Sequence, residues 1–311
     1  MPIGTYVYPT AYFSNDGEGL LRQRPQDDMK WGEQFHINGI DFFVREDGYL
    51  IIKSEDVEES SILCNCLFLS MNLLGYERHT GIRAREFEIL TLNEIEFKIT
   101  SKHGSLCSER SAFYFSNDAR AQIENARMIV YPIEVLNIMI ELGTEIYNSE
   151  YRERILMFFD AWSAIGREER ASGFILSWVC LELLLWEEMQ THLNGLGISS
   201  RHRKKILDWK EISKIIDFLY IEIRTKRLLP EKKFDLFTVG NIEMIDDLRK
   251  ARNQMIHNGK YPTKEEADQC LNLATKSLWR YIVLSGINYN SKLERVRSIL
   301  PDRGIMKGAR I

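Results

Sequence analysis

Residues 173–186 constrain this chain more than any other stretch. Phe174, Ile175, Trp178, Leu181, Leu185 and Trp186 recur at helical spacing and cover much of a helix's circumference. A helix that is apolar nearly all round cannot face water, so it must be buried by other elements. Ser177 and Glu182 interrupt the run, which falls short of the roughly 18 apolar residues that a bilayer span requires. The same period continues on both sides. It predicts helices over 133–148, 151–164, 168–193, 208–224, 241–258 and 264–285, with Pro132 suited to the first turn of the first one. Gly166 is a break, the Asn194-Gly195-Leu196-Gly197 stretch is a stop, and Thr263 before Glu265 and Glu266 is a capped start. On the last of these helices Trp279 and Tyr281 are expected to meet a partner or the core.

Before residue 132 the rhythm differs. Pro9, Gly17, Gly19 and Pro25 mark residues 1–33 as loops with one short strand. Phe35-His36-Ile37, an Asn38-Gly39 turn and the run 40–44 predict a hairpin, and Glu46-Asp47-Gly48 leads into a third strand at 49–52. Ser54, with Glu58 and Glu59 downstream, opens a helix carrying Ile62, Cys66, Leu69, Leu73 and Leu74, which Gly75 ends. A basic loop at 78–85 follows, then strands at 87–90, 95–99 and 113–115. The chain is thus α+β overall. The expected parts are a small mixed α+β accessory or sensing domain with short antiparallel strands (1–131), an all-α bundle (132–287) and a basic tail (288–311). His36, His79 and His103 fall in separate elements with no acid, base or nucleophile gathered near them in sequence, so they are read as structural or surface residues.

Charge is divided unevenly. Residues 1–148 hold 13 Lys+Arg against 23 Asp+Glu, and residues 149–311 hold 28 against 22, within a net charge of −4. An acidic half joined to a basic half points to a polyanion partner for the second only. The five cysteines (Cys64, Cys66, Cys107, Cys180 and Cys270) are odd in number and lie in apolar runs, as reduced thiols of a cytoplasmic protein do. Cys64 and Cys66 stand too close for a zinc knuckle and have no histidines at finger spacing, so no metal or cofactor is expected. No signal peptide is evident and no membrane partner is expected.

The residues that could carry chemistry lie at 246–259. Gly259 fits the position just past a helix, and Pro262 blocks continuation, so His257 arrives at the helix's C-terminal end. Asn253 is four residues earlier and Arg249 four before that, on one face, with Arg252 about 100° around the axis from Asn253. Arginine offers a planar fork of donors to phosphate oxygens, and histidine suits proton transfer near neutral pH. The plainer reading stays open, that His257 is a carbonyl partner at a helix end and the arginines are solvated.

Arg252-Asn253-Gln254-Met255-Ile256-His257 resembles the signature of the HEPN superfamily, an Arg often followed by a polar residue and a His after a short interval. The Asn-Gly after the His and the long helix beyond are also similar to that family. The resemblance covers the helical part only. It implies a HEPN-like bundle and a metal-independent endoribonuclease that acts as a homodimer, with two motifs facing one cleft. It also implies a toxin or phage-defence effector of RNA, with an antitoxin or phage-derived trigger as a further partner. On that reading Arg252, His257 and Asn253 are catalytic, and Glu182, within the apolar helix, reaches Arg252 or Arg249. Arg249 and Lys260 are auxiliary phosphate contacts. Arg201, Arg203, Lys204 and Lys205 bind the RNA, with Arg224, Lys226, Arg227, Lys232 and Lys233 as further cations. The alternative is a non-catalytic HEPN-type scaffold for RNA, a nucleotide or a protein.

Overall fold

Short apolar runs separated by turns build the first sheet. In the computed structural model, which describes residues 2–6, 12–14, 32–37, 39–45, 48–54, 56–75, 81–83, 86–93, 98–105, 130–195, 212–224 and 239–300, the predicted hairpin is β3 (Gly32–Ile37) and β4 (Ile40–Arg45). Ile37 pairs with Ile40, and β5 (Tyr49–Lys53) continues the meander. Tyr49, Leu50, Ile51 and Ile52 are all buried, so both faces of β5 are covered. The sheet is larger than expected. β1 (Pro2–Tyr6) lies in its middle, between β5 and β6 (Glu88–Asn93), and β7 (Lys98–Ser105) completes the antiparallel order β3-β4-β5-β1-β6-β7. β1 was hard to see because its five residues include Pro2 and Gly4 and show no clean alternation. Strand β7 is observed from Lys98, and the expected strand at 113–115 lies outside the described residues. A separate pair joins β2 (Tyr12–Ser14) in parallel to β8 (Val130–Pro132).

Helix α1 (Val57–Leu74) starts two residues later than the Ser54 expectation. Asp56 is the N-cap, accepting from the Glu59 amide at 2.9 Å, while the Ser54 hydroxyl accepts from the Asp56 amide at 3.0 Å. Its core side is Leu63, Cys64, Leu67, Phe68 and Met71 together with the expected Cys66, Leu69 and Leu74, whereas Ile62 and Leu73 are half-buried. It packs on α2 (Ile133–Tyr147). The helices approach so closely that a Cβ on Gly143 would sit 2.7 Å from Leu67, and Ser70 Oγ is 2.6 Å from the Met139 carbonyl oxygen.

The chain divides into two compact units, residues 1–149 with 287–311, and residues 150–286. This differs from the expected borders at 132 and 288. α2 belongs to the first unit because its apolar face covers α1. The C-terminal segment is no loose tail over 289–299, where it forms α8 (Tyr289–Ile299). Val296 and Lys292 are buried, Lys292 Nζ lies 2.7 Å from Glu145 and 3.3 Å from Glu141, and Tyr289 donates to the Leu73 carbonyl at 2.8 Å. Burial pushes the Tyr289 hydroxyl up to about 12. Redrawn on these units, net charge is −6 for the first and +2 for the second, because the basic C-terminal residues sit with the acidic part.

All the secondary-structure elements described in the second unit are helices. It comprises α3 (Arg152–Gly166), α4 (Arg170–Gly195), α5 (Ile212–Arg224), α6 (Val239–Asn258) and α7 (Lys264–Leu284). The apolar stretch at 173–186 is the middle of α4. Phe174, Trp178, Leu181, Leu184 and Leu185 are buried against α3 and α7, each worth about 1.5–3 kcal/mol of transfer free energy. Tyr281 goes to the core, stacked on Tyr151 at 5.6 Å between centroids and donating to Glu187 at 2.8 Å. No described helix is long and apolar enough to cross a membrane.

Candidate active site

Helix α6 is held by one end. Ile242, Ile245 and Leu248 form its buried stripe, and α5 and α7 are its main neighbours. Past Leu248 no residue of the helix is fully buried, so its final turns emerge toward solvent. The helix then stops sharply. Gly259 has φ +65°, a backbone that strains any residue with a Cβ. Its amide donates to the Met255 carbonyl at 3.1 Å, and the Lys260 amide donates to Gln254 at 3.3 Å. Pro262 is buried, and Thr263 begins α7 with a reciprocal cap. Thr263 Oγ1 accepts from the Glu266 amide at 3.1 Å, and the Thr263 amide donates to the Glu266 carboxylate at 2.7 Å. The short turn between the two helices is therefore fixed on both sides.

Five of the residues expected from the sequence, Arg249, Arg252, Asn253, His257 and Lys260, lie along the last turns of α6 or just past its end. Arg249, Asn253 and His257 form one row along α6, drifting about 40° per step. Arg252 starts about 100° away, but its Nη1 donates to Asn253 Oδ1 at 3.1 Å, which swings the guanidinium onto the row. Arg252 and Asn253 are half-buried, while His257 and Lys260 are exposed. Among the described residues no carboxylate lies within ion-pair distance of Arg252, His257 or Lys260. A guanidinium and an amide are thus joined by a hydrogen bond, with an exposed imidazole one turn further along the helix.

Arg249 and Glu182 are placed otherwise than expected. Arg249 Nε and Nη2 both lie 2.8 Å from Asp246 Oδ1, and Lys250 takes the other oxygen at 3.0 Å. Burial pulls the Asp246 carboxyl upward, yet hydrogen bonds and charge from Lys250 and Arg249 outweigh it and hold it below the usual range. Arg249 is therefore already paired, which weakens its case as a phosphate contact. Glu182 is half-buried on α4, and among the described residues no ion pair joins it to Arg252 or Arg249. The reason is packing. The partners of α6 are mainly α5 and α7, not α4. Arg224 ends α5, and Arg201, Arg203, Lys204, Lys205, Lys226, Arg227, Lys232 and Lys233 lie outside the described residues.

Cys64, Cys66, Cys180 and Cys270 are free and buried, and Cys107 lies outside the described residues. Burial, then the nearby Asp160, pushes the Cys180 thiol up to about 12, and burial with Cys180 as neighbour raises Cys270 further, so neither is a ready nucleophile. His36 sits 2.7 Å from Asp41 across the β3–β4 hairpin on an exposed surface, His103 lies in β7, and His79 is outside the described residues. Two residues near the motif were not singled out in the sequence. Asp246 as the partner of Arg249 was signalled by its i,i+3 spacing. Tyr261, 74% exposed in the turn, was signalled only by its position between Lys260 and Pro262. Comparison with protein-family models, with curated proteins and with solved structures gives no match.

Proposed function

We propose that the second unit is a HEPN-type, metal-independent endoribonuclease whose centre is Arg252, Asn253 and His257. The observation that carries this reading is the Arg252–Asn253 hydrogen bond, which directs an acid-free guanidinium toward the row holding an exposed imidazole. The motif's resemblance and the helical character of the unit support it. The 2′-hydroxyl of RNA attacks the adjacent phosphorus in line, forming the P–O2′ bond as the P–O5′ bond breaks. His257 takes the hydroxyl proton or supplies one to the leaving oxygen, and Arg252 stabilises the charge that grows on the phosphoryl oxygens. One imidazole cannot easily do both in one step. A second copy related by a two-fold axis supplies the other, and half-exposed Ile256, one turn past Arg252, gives that face an apolar contact.

The test is an incubation of pure protein with a mixed tRNA and mRNA pool in EDTA, beside Arg252→Ala and His257→Ala. Cutting by wild type alone supports the proposal, and equal cutting by all three ends it. The second reading, a HEPN-type scaffold that binds RNA, a nucleotide or a protein without cleaving, is favoured by one observation: neither Glu182 nor a free Arg249 backs the motif. Dimers that bind RNA and leave it intact would select it. A toxin or defence role in the cytoplasm belongs with the ribonuclease reading. It predicts growth arrest on expression that His257→Ala relieves.

A further inference from the structure

We infer that Tyr261 stacks on an unpaired nucleobase beside the phosphodiester held at His257, which makes single-stranded RNA the class of substrate. The inference rests on the ribonuclease reading for its ligand and on the turn for its geometry. At 74% exposed, Tyr261 shows more of its surface than any other large apolar side chain among the described residues. Its backbone is nonetheless pinned, between the Gly259 helix end and the capped start of α7, with buried Pro262 as the next residue. A bare ring on a fixed turn loses little freedom when it binds.

The surroundings favour a nucleic acid over an apolar partner. Lys260 and Lys264, both exposed, flank Tyr261 in sequence, and Arg252 and His257 precede it. The nearest acids in sequence are engaged locally, Glu266 in the Thr263 cap and Glu265 as acceptor from Gln269 at 3.4 Å. Cations that track phosphates, interleaved with a ring that any base face can cover, are what single-strand recognition requires. In a duplex those faces are already stacked on neighbouring bases. The Cα atoms of His257 and Tyr261 are at most about 15 Å apart along the chain, within the span of a short oligonucleotide.

The test uses the full chain and a 2′-O-methyl RNA octamer, which binds but lacks the attacking hydroxyl. Tyr261→Ala is expected to weaken binding about tenfold. Tyr261→Phe, which keeps the ring, is expected to bind as wild type does. An abasic site at one position of the octamer is expected to erase the difference between wild type and Tyr261→Ala. Duplex RNA is expected to show no difference at any point. Lys260→Ala is expected to flatten the salt dependence, while Tyr261→Ala leaves its slope unchanged. Equal octamer binding by wild type and Tyr261→Ala overturns the inference. So does a loss that merely follows a drop in solution mass, because the ring then packs on a second copy of the chain. Cleavage of the unmodified octamer separates the two claims. Cutting without a Tyr261 effect sinks the stacking role alone, and ring-dependent binding without cutting sinks the ribonuclease alone.

Discussion

On the face of α8, Lys292 lies 2.7 Å from Glu145 and 3.3 Å from Glu141, and Arg295 donates to Glu141 at 2.7 Å. At the end of α6, Arg252, His257 and Lys260 have no carboxylate at ion-pair distance among the described residues. Both surfaces gather basic side chains on or just past helices near the carboxyl end of the chain. The first pairs them with acids and buries Lys292, and the result is a docked helix. The second leaves them without acids where a helix has left the core and stops, the arrangement on which the proposed anion site rests. Arg249 marks the border between the two kinds. It belongs to the candidate site by position and to the structural kind by its pairing with Asp246.

That contrast can be broken at either end. The largest effect is expected at the open cluster, where His257→Ala should lower RNA cleavage about 10²–10⁴-fold with the thermal midpoint unchanged. A lowered midpoint with retained cleavage would make His257 structural and erase the contrast. Next comes the closed cluster. Lys292→Ala should destabilise the first unit by about 1–2 kcal/mol, a figure reduced because its acidic partners are partly exposed. Denaturant titration measures it. The pH dependence has a definite sign. Burial raises the Glu141 carboxyl, but Arg295 and Lys292 outweigh it and hold it below the ordinary range. Its contribution is therefore fully present above the ordinary carboxylate pKa and is lost as pH falls through the lowered value. Stability of the first unit should drop on acidification below about pH 4 in wild type and less so in Lys292→Ala.

Thr263→Ala tests the turn that joins the two helices at the site. Loss of the cap should cost about 1 kcal/mol, read from the denaturation midpoint. The smallest effect sharpens the contrast most finely. Asp246→Asn should release Arg249 and steepen the salt dependence of RNA binding by about one counterion. No change in slope would show that Arg249 faces away from the nucleic acid, whatever its pairing.

The sequence was most legible where one period dominates. The apolar middle of α4, the β3–β4–β5 meander and the capped start of α7 each declare themselves through spacing or turn chemistry, and each is present. It was least legible where an element depends on a distant partner. β1 is a strand only because β5 and β6 flank it, and α8 is docked because Glu141 and Glu145 lie across from Lys292 in a helix well over a hundred residues earlier. The cap of α1 moved from Ser54 to Asp56 because both are good caps and local sequence does not rank them. At the site, the row of Arg249, Asn253 and His257 followed from helix geometry. The neutralisation of Arg249 by Asp246, and the separation of Glu182 from both arginines, depended on rotamers and packing that periodicity does not encode.

The most direct test of the central claim is the chemistry of the cut ends. RNA cleaved by wild-type protein in EDTA should carry a 2′,3′-cyclic phosphate on one fragment and a 5′-hydroxyl on the other, with neither product from correctly folded Arg252→Ala or His257→Ala. Fragments with 5′-phosphates that form only when magnesium is added, or cyclic phosphates that persist in both variants, would contradict it.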